Sequence, residues 1–242
     1  MERKILVVGS SHTAVIAKAA AGVDNVNALW VKNPKRDDGP GDITIQQASE
    51  AVAALTPSDI LAITWVGTYH NIFGLAQHEQ PFDFFEPDSS EEPDLTRELI
   101  PYGTLHRQFA MTTGRDVVTR KIGGNTKAKV VLLATPPVKG DDDFIRAKLK
   151  LKNYRGQSID EVGVTPASIR AKLWRLEMRC VESYCIDINA EFLPVPDAAF
   201  TDEGFLRTDL YGSDATHANV KYGAMVVEQL LHLKRGQAIQ SA

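Results

Sequence analysis

Ile5-Leu6-Val7-Val8-Gly9-Ser10-Ser11-His12-Thr13, close to the start of the chain, is the stretch whose reading decides the fold. The apolar run Ile5 to Val8 reads as a buried strand, and the Ala-rich stretch Ala14 to Ala21 reads as a helix. Between them a serine, Ser11, stands where strand turns into helix. Backbone N–H groups at a helix N-terminus point outward and stabilise negative charge, so this is a place for a nucleophile whose reaction develops an oxyanion.

The complement lies near the other end, at Ser213-Asp214-Ala215-Thr216-His217. An Asp and a His three residues apart, just before a helix, let one turn hold an imidazole and the carboxylate that orients it. The two segments resemble the SGNH, or GDSL-like, hydrolase family, whose first block usually reads Gly-Asp-Ser and whose last reads Asp-x-x-His. Ser11 matches the nucleophile, and Asp214 and His217 match the last block; Ser10 stands where the family has an acidic residue. The resemblance implies a serine esterase or acyl hydrolase that needs no cofactor or metal. It also implies a three-layer α/β/α sandwich around a mainly parallel five-stranded sheet of flavodoxin-like order, as one domain over residues 1–242.

Element order along the chain agrees. Strand candidates fall near residues 4–9, 26–31, 59–65, 129–135 and 190–195, and helix candidates near 12–22, 44–55, 96–119, 165–184 and 218–234. Runs such as Val130-Val131-Leu132-Leu133-Ala134 are what strands covered on both faces look like, and alternation with helices gives a parallel sheet. In helix 165–184, Thr165 is placed to cap and Pro166 to take the first position, with Ile169, Leu173, Leu176 and Cys180 as a core stripe. Two stretches break the alternation, 74–96 and 137–164, and read as insertions over the carboxyl edge of the sheet. The first carries Phe82, Phe84 and Phe85, which with Trp65, Tyr69 and Phe73 would either line an acyl or sugar pocket or form core.

Composition sets the compartment and partners. A net charge of −4 argues against a dedicated nucleic-acid binder, and the basic run Arg146 to Lys152 reads as a solvated face. No segment approaches the roughly 20 apolar residues of a membrane span, and the few apolar residues before Gly9 are too short for a signal peptide. The expected location is cytoplasmic, with a small-molecule or carbohydrate ester as partner. Cys180 and Cys185, five apart on a helix, point to different faces and are expected as buried thiols rather than a disulfide.

In open α/β sheets ligands bind beyond the carboxyl ends of the strands, which selects the oxyanion donors. The family resemblance implies the Ser11 N–H, a glycine N–H after strand two and an asparagine after strand three. In Gly39-Pro40-Gly41, Gly41 takes the glycine role, although these glycines would equally serve as turn formers. After strand three the family reads Gly-x-Asn, whereas this chain reads Gly67-Thr68-Tyr69-His70-Asn71. Asn71, Tyr69 and His70 are therefore all candidates, with Asn71 preferred. His12 is expected as a packing or substrate-side residue. Two other readings stand beside the hydrolase: a non-catalytic carbohydrate-binding or interaction module on the same fold, and a nucleotide-binding domain. The second fails because the Ser11 turn lacks Gly-x-Gly-x-x-Gly.

Overall fold

The computed structural model describes residues 3–33, 39–149 and 159–234. Strands β1 (Ile5–Gly9), β2 (Val26–Trp30) and β3 (Ile60–Thr64) come first, separated by helices α1 (Thr13–Ala20) and α2 (Ile45–Ala53). Helix α3 (Tyr69–Gly74), the two-residue strands β4 (Phe82–Asp83) and β5 (Glu98–Leu99), and helices α4 (Tyr102–Gly114) and α5 (Val117–Gly123) lead to β6 (Lys129–Leu133). Helices α6 (Asp142–Lys148), α7 (Ile159–Val162) and α8 (Ala167–Asp187) precede β7 (Glu191–Leu193), and α9 (Val220–Lys234) closes the order.

The main sheet runs β2-β1-β3-β6-β7 with every pairing parallel. Burial follows from that order. Central β1 and β3 are buried at every position and are the runs that read as uninterrupted apolar sequence, whereas edge strands β2 and β7 are partly exposed. Right-handed crossovers that leave β1 first in one direction and then in the other put helices on both faces. Accordingly α1 packs on α9, α2 on α5, and α8 carries α4 on its outer side. This is the three-layer α/β/α arrangement expected from the sequence.

Where local structure departs from the sequence reading, capping chemistry explains it. The helix expected over 96–119 is two: Pro101 caps α4, Gly114 ends it, and Asp116 starts α5 by accepting the N–H groups of Val118 and Thr119. Pro166, rather than Thr165, is the N-cap of α8, and the buried Thr165 hydroxyl has no partner among the described residues. Helix α8 faces two clusters. Ile169, Leu173, Leu176 and Cys180 pack with Phe82, Phe84, Leu105 and Phe109, while Ala171, Trp174, Met178 and Cys185 join the sheet core. The two cysteines, free and buried, therefore lie on different faces, and burial pushes each thiol up to about 12.

The same contacts place the first insertion. Lys172 Nζ lies 2.9 Å from Asp83 Oδ1 with both groups buried, and Arg175 holds Glu86 at 2.6 Å. Phe82, Asp83, Phe84 and Glu86 are thus buried on the α4/α8 side, whereas Phe85 and Leu95 of the same insertion stay exposed. Of the second insertion, residues 150–158, and with them part of the basic run, lie outside the described residues.

Candidate active site

Gly9 ends β1 where only a glycine fits, since a Cβ there would stand 2.0 Å from Thr64 Oγ1 on neighbouring β3. The turn that follows is stapled to the same strand end. Ser10 Oγ donates to the Thr64 carbonyl at 3.3 Å, Thr13 and Thr64 hydroxyls share a 2.7 Å hydrogen bond, and the Thr13 N–H returns to the Ser10 carbonyl at 2.9 Å. The Ser10 hydroxyl therefore helps tie the turn to the end of β3. Ser11 is left half-buried at the start of α1.

On the far side, a closed loop presents Asp214 and His217. Tyr211 pairs with Ala218, and the Gly212 N–H donates to the His217 carbonyl at 2.8 Å. Asp214 Oδ1 accepts the N–H groups of Thr216 and His217, each at 2.8 Å, which fixes the carboxylate. Its Oδ2 is 2.8 Å from His217 Nδ1, and His217 Nε2 is 2.7 Å from Ser11 Oγ. Partial burial opposes ionisation of Asp214, but the hydrogen bonds from the His217 ring, the His217 N–H and the Thr216 N–H outweigh it and hold the carboxyl well below the usual carboxylate range. An ionised Asp214 selects the tautomer with the proton on Nδ1, leaving Nε2 free to accept from Ser11.

His12 packs its ring 4.8 Å from that of His217. It is buried, its Nδ1 has no partner among the described residues, and burial, with the nearby His217 and His70, lowers its pKa to about 3. It is therefore a neutral wall beside the serine.

The oxyanion candidates separate by environment. Asn71, on α3, lines the same cavity as Ser11 and His217. Tyr69 turns away to pack its ring 4.9 Å from Phe109, and His70 is buried with Nδ1 2.7 Å from Glu177 Oε2. Glu177 also accepts the N–H groups of Tyr69 and His70, so a buried carboxylate on α8 holds the first turn of α3 in place. Gly41 does not line the cavity. It sits at φ +143° against Lys32, where a Cβ would come 2.7 Å from the Lys32 nitrogen, so it serves the turn. Among the described residues no group of three His, Cys, Asp or Glu side chains is placed to hold a metal ion.

The cavity, about 400 Å³, opens beside Ser11 and is walled by Ile72, Leu75, Ala76, Leu149 and Ile159. The aromatic candidates do not form it: Phe82 and Phe84 are core, Tyr69 and Phe73 pack against them, and Trp65 packs on the sheet core. Leu149 and Ile159 were not singled out in the sequence. Their only signal is that they are isolated apolar residues in a charged, turn-rich stretch. Glu177 was missed for the converse reason, as a charged residue inside an otherwise ordinary amphipathic helix.

No protein-family model and no curated protein matches the chain. Solved structures do. One, assigned as an acylhydrolase from Bacteroides fragilis, is 10% identical with a TM-score of 0.50 over 97% of this chain and 87% of that one. Another, a GDSL-like lipase from Bacteroides thetaiotaomicron, is 11% identical with a TM-score of 0.50 over 97% and 88%. At these identities the likeness is one of fold: the chain has the SGNH/GDSL-like hydrolase fold. Among the described residues no helix is long and apolar enough to cross a membrane.

Proposed function

We propose that the protein is a serine hydrolase that cleaves carboxylic esters through an acyl-enzyme on Ser11. The observation that carries this is the unbroken hydrogen-bond path from Ser11 Oγ to His217 Nε2 at 2.7 Å and from His217 Nδ1 to Asp214 Oδ2 at 2.8 Å. His217 takes the Ser11 proton as Oγ attacks the ester carbonyl carbon. The tetrahedral oxyanion is held by the Ser11 N–H and the Asn71 amide. As the C–O bond to the alcohol breaks, His217 returns the proton to the leaving oxygen. Water, deprotonated by His217, then attacks the acyl-enzyme and releases the acid and Ser11. The hydrolases among the fold neighbours add support of a general kind.

The aliphatic wall points to the substrate. Ile72, Leu75, Ala76, Leu149 and Ile159 offer no aromatic platform for a sugar ring and few polar groups, which favours a hydrocarbon acyl chain. A series of nitrophenyl esters from acetate to octanoate tests the reading. Wild-type protein is expected to show kcat/KM rising with chain length, and Ile72→Ser to lower it several-fold for octanoate while leaving acetate nearly unchanged. Hydrolysis of none of these esters above the rate of Ser11→Ala would contradict the proposal.

A further inference from the structure

Lys139 is the unexpected charge of this molecule. It follows β6 by way of Thr135-Pro136-Pro137-Val138, and its side chain is 2% exposed. Among the described residues no carboxylate stands within ion-pair distance of its ammonium. Nζ instead donates to two backbone carbonyls of the loop that carries the base, Asp214 at 2.5 Å and Gly212 at 3.2 Å. Two rings enclose it, with Nζ 4.7 Å from the Phe144 centroid and 4.9 Å from that of Tyr211. Burying an ammonium without a counter-ion is costly, and an apolar side chain of similar length would fill the space without that cost. Its place demands a reason other than packing.

We propose that Lys139 is a positioning residue for the base: its ammonium clamps the carbonyls of Gly212 and Asp214 and thereby fixes the loop from which Asp214 and His217 reach Ser11. This rests on the serine-hydrolase reading above. The geometry is direct, because the Asp214 backbone carbonyl faces Lys139 while the Asp214 carboxylate faces His217. Gly212, the other clamped residue, also donates its N–H to the His217 carbonyl, so both ends of the loop are held through one amine. Without the clamp, Asp214 keeps its hydrogen bonds within the loop, but the loop as a unit loses its distance to Ser11.

Protonation bears on the clamp. The groups facing the ammonium are Asp214 in the loop, Lys148 on α6 and the Tyr211 phenol, which lies near Asp141; Arg170 on α8 donates to the Lys139 carbonyl at 2.8 Å and is itself paired with Asp142. Burial is the largest influence on Lys139, and it and Lys148 outweigh Asp214 to bring its pKa down to about 8. The neutral amine still donates, but without the charge assistance that roughly doubles the strength of such bonds.

The test measures ester turnover and the rate at which a fluorophosphonate labels Ser11 in wild-type protein and in Lys139→Met. The expected result for Lys139→Met is a fall in kcat and in labelling rate of about 10²-fold with KM little changed. In wild-type protein the labelling rate, corrected for probe hydrolysis, is expected to fall between pH 7.5 and 9.5, and in Lys139→Met that alkaline fall is absent. Wild-type rates of kcat and labelling in folded Lys139→Met would overturn the inference. Should that variant not fold, wild-type rates of kcat and labelling in folded Lys139→Gln, uncharged and one carbon shorter than lysine, overturn it instead. Failure of the wild-type protein to label at all would count against the hydrolase reading itself, so the two failures are told apart.

Discussion

Ser11 and His217, 206 residues apart in the chain, meet at 2.7 Å between Oγ and Nε2. The distance is set by how α1, which begins just after Ser11, lies against α9, which begins just after His217. Gly223 makes that close approach possible, since a Cβ there would stand 2.4 Å from the Val15 carbonyl oxygen. Gly223→Ala is therefore expected to push α9 off α1, destabilise the fold by about 1–3 kcal/mol and lower kcat by at least about tenfold. Chemical denaturation and ester turnover on the same sample check both halves.

His217→Ala should abolish turnover, by on the order of 10⁴-fold or more in kcat, because Ser11 then has no proton acceptor. Asp214→Ala should cost less, since the imidazole remains and loses only its orientation and tautomer. Steady-state kinetics of the two variants side by side give the order, and equal losses would count against separate roles.

Asn71→Ala should lower kcat by about 10²–10³-fold with little change in KM, the signature of a donor that acts on the oxyanion. Glu177→Ala should act on the same step from a distance, because the first turn of α3 loses the carboxylate that accepts its N–H groups. Its cost in stability is expected at about 3 kcal/mol, as a buried network of charged hydrogen bonds is broken. Thermal or urea unfolding separates it from Asn71→Ala, whose stability should be close to that of the wild type.

His12 gives the protein an acid-side liability. Its pKa is lowered from 6.5 to about 3 in the folded state, so the unfolded chain binds a proton that the native state refuses. The stability this withholds is fully present above pH 6.5 and is lost as pH falls toward 3. Urea unfolding at pH 7 and pH 4.5 should therefore show His12→Leu losing about 2–3 kcal/mol less than wild type over that interval.

The sheet was legible because β1 and β3 are buried along their whole length, and a strand covered on both faces must be an apolar run. Ser11, Asp214 and His217 could be picked out as candidates because the strand-to-helix turn and the Asp-x-x-His turn are local, each encoded in a few adjacent residues. Gly41 and Asn71 were harder, since their reach depends on loop paths. Asn71 reaches the cavity from α3, whose first turn Glu177, more than a hundred residues on, anchors. Likewise the aliphatic wall joins Ile72 with Leu149 and Ile159 across the fold, and Lys139 reads in sequence as one more surface lysine. Pairings of this kind are properties of packing, and no local pattern announces them.

Whether His217 activates Ser11 is tested most directly by labelling the folded protein with a fluorophosphonate, the modified peptide located by mass, with Ser11→Ala and His217→Ala alongside. A serine hydrolase built on Ser11 gives a single adduct on Ser11, absent from Ser11→Ala and slowed by orders of magnitude in His217→Ala. An unlabelled wild type, or an adduct that forms as fast without His217, would contradict it.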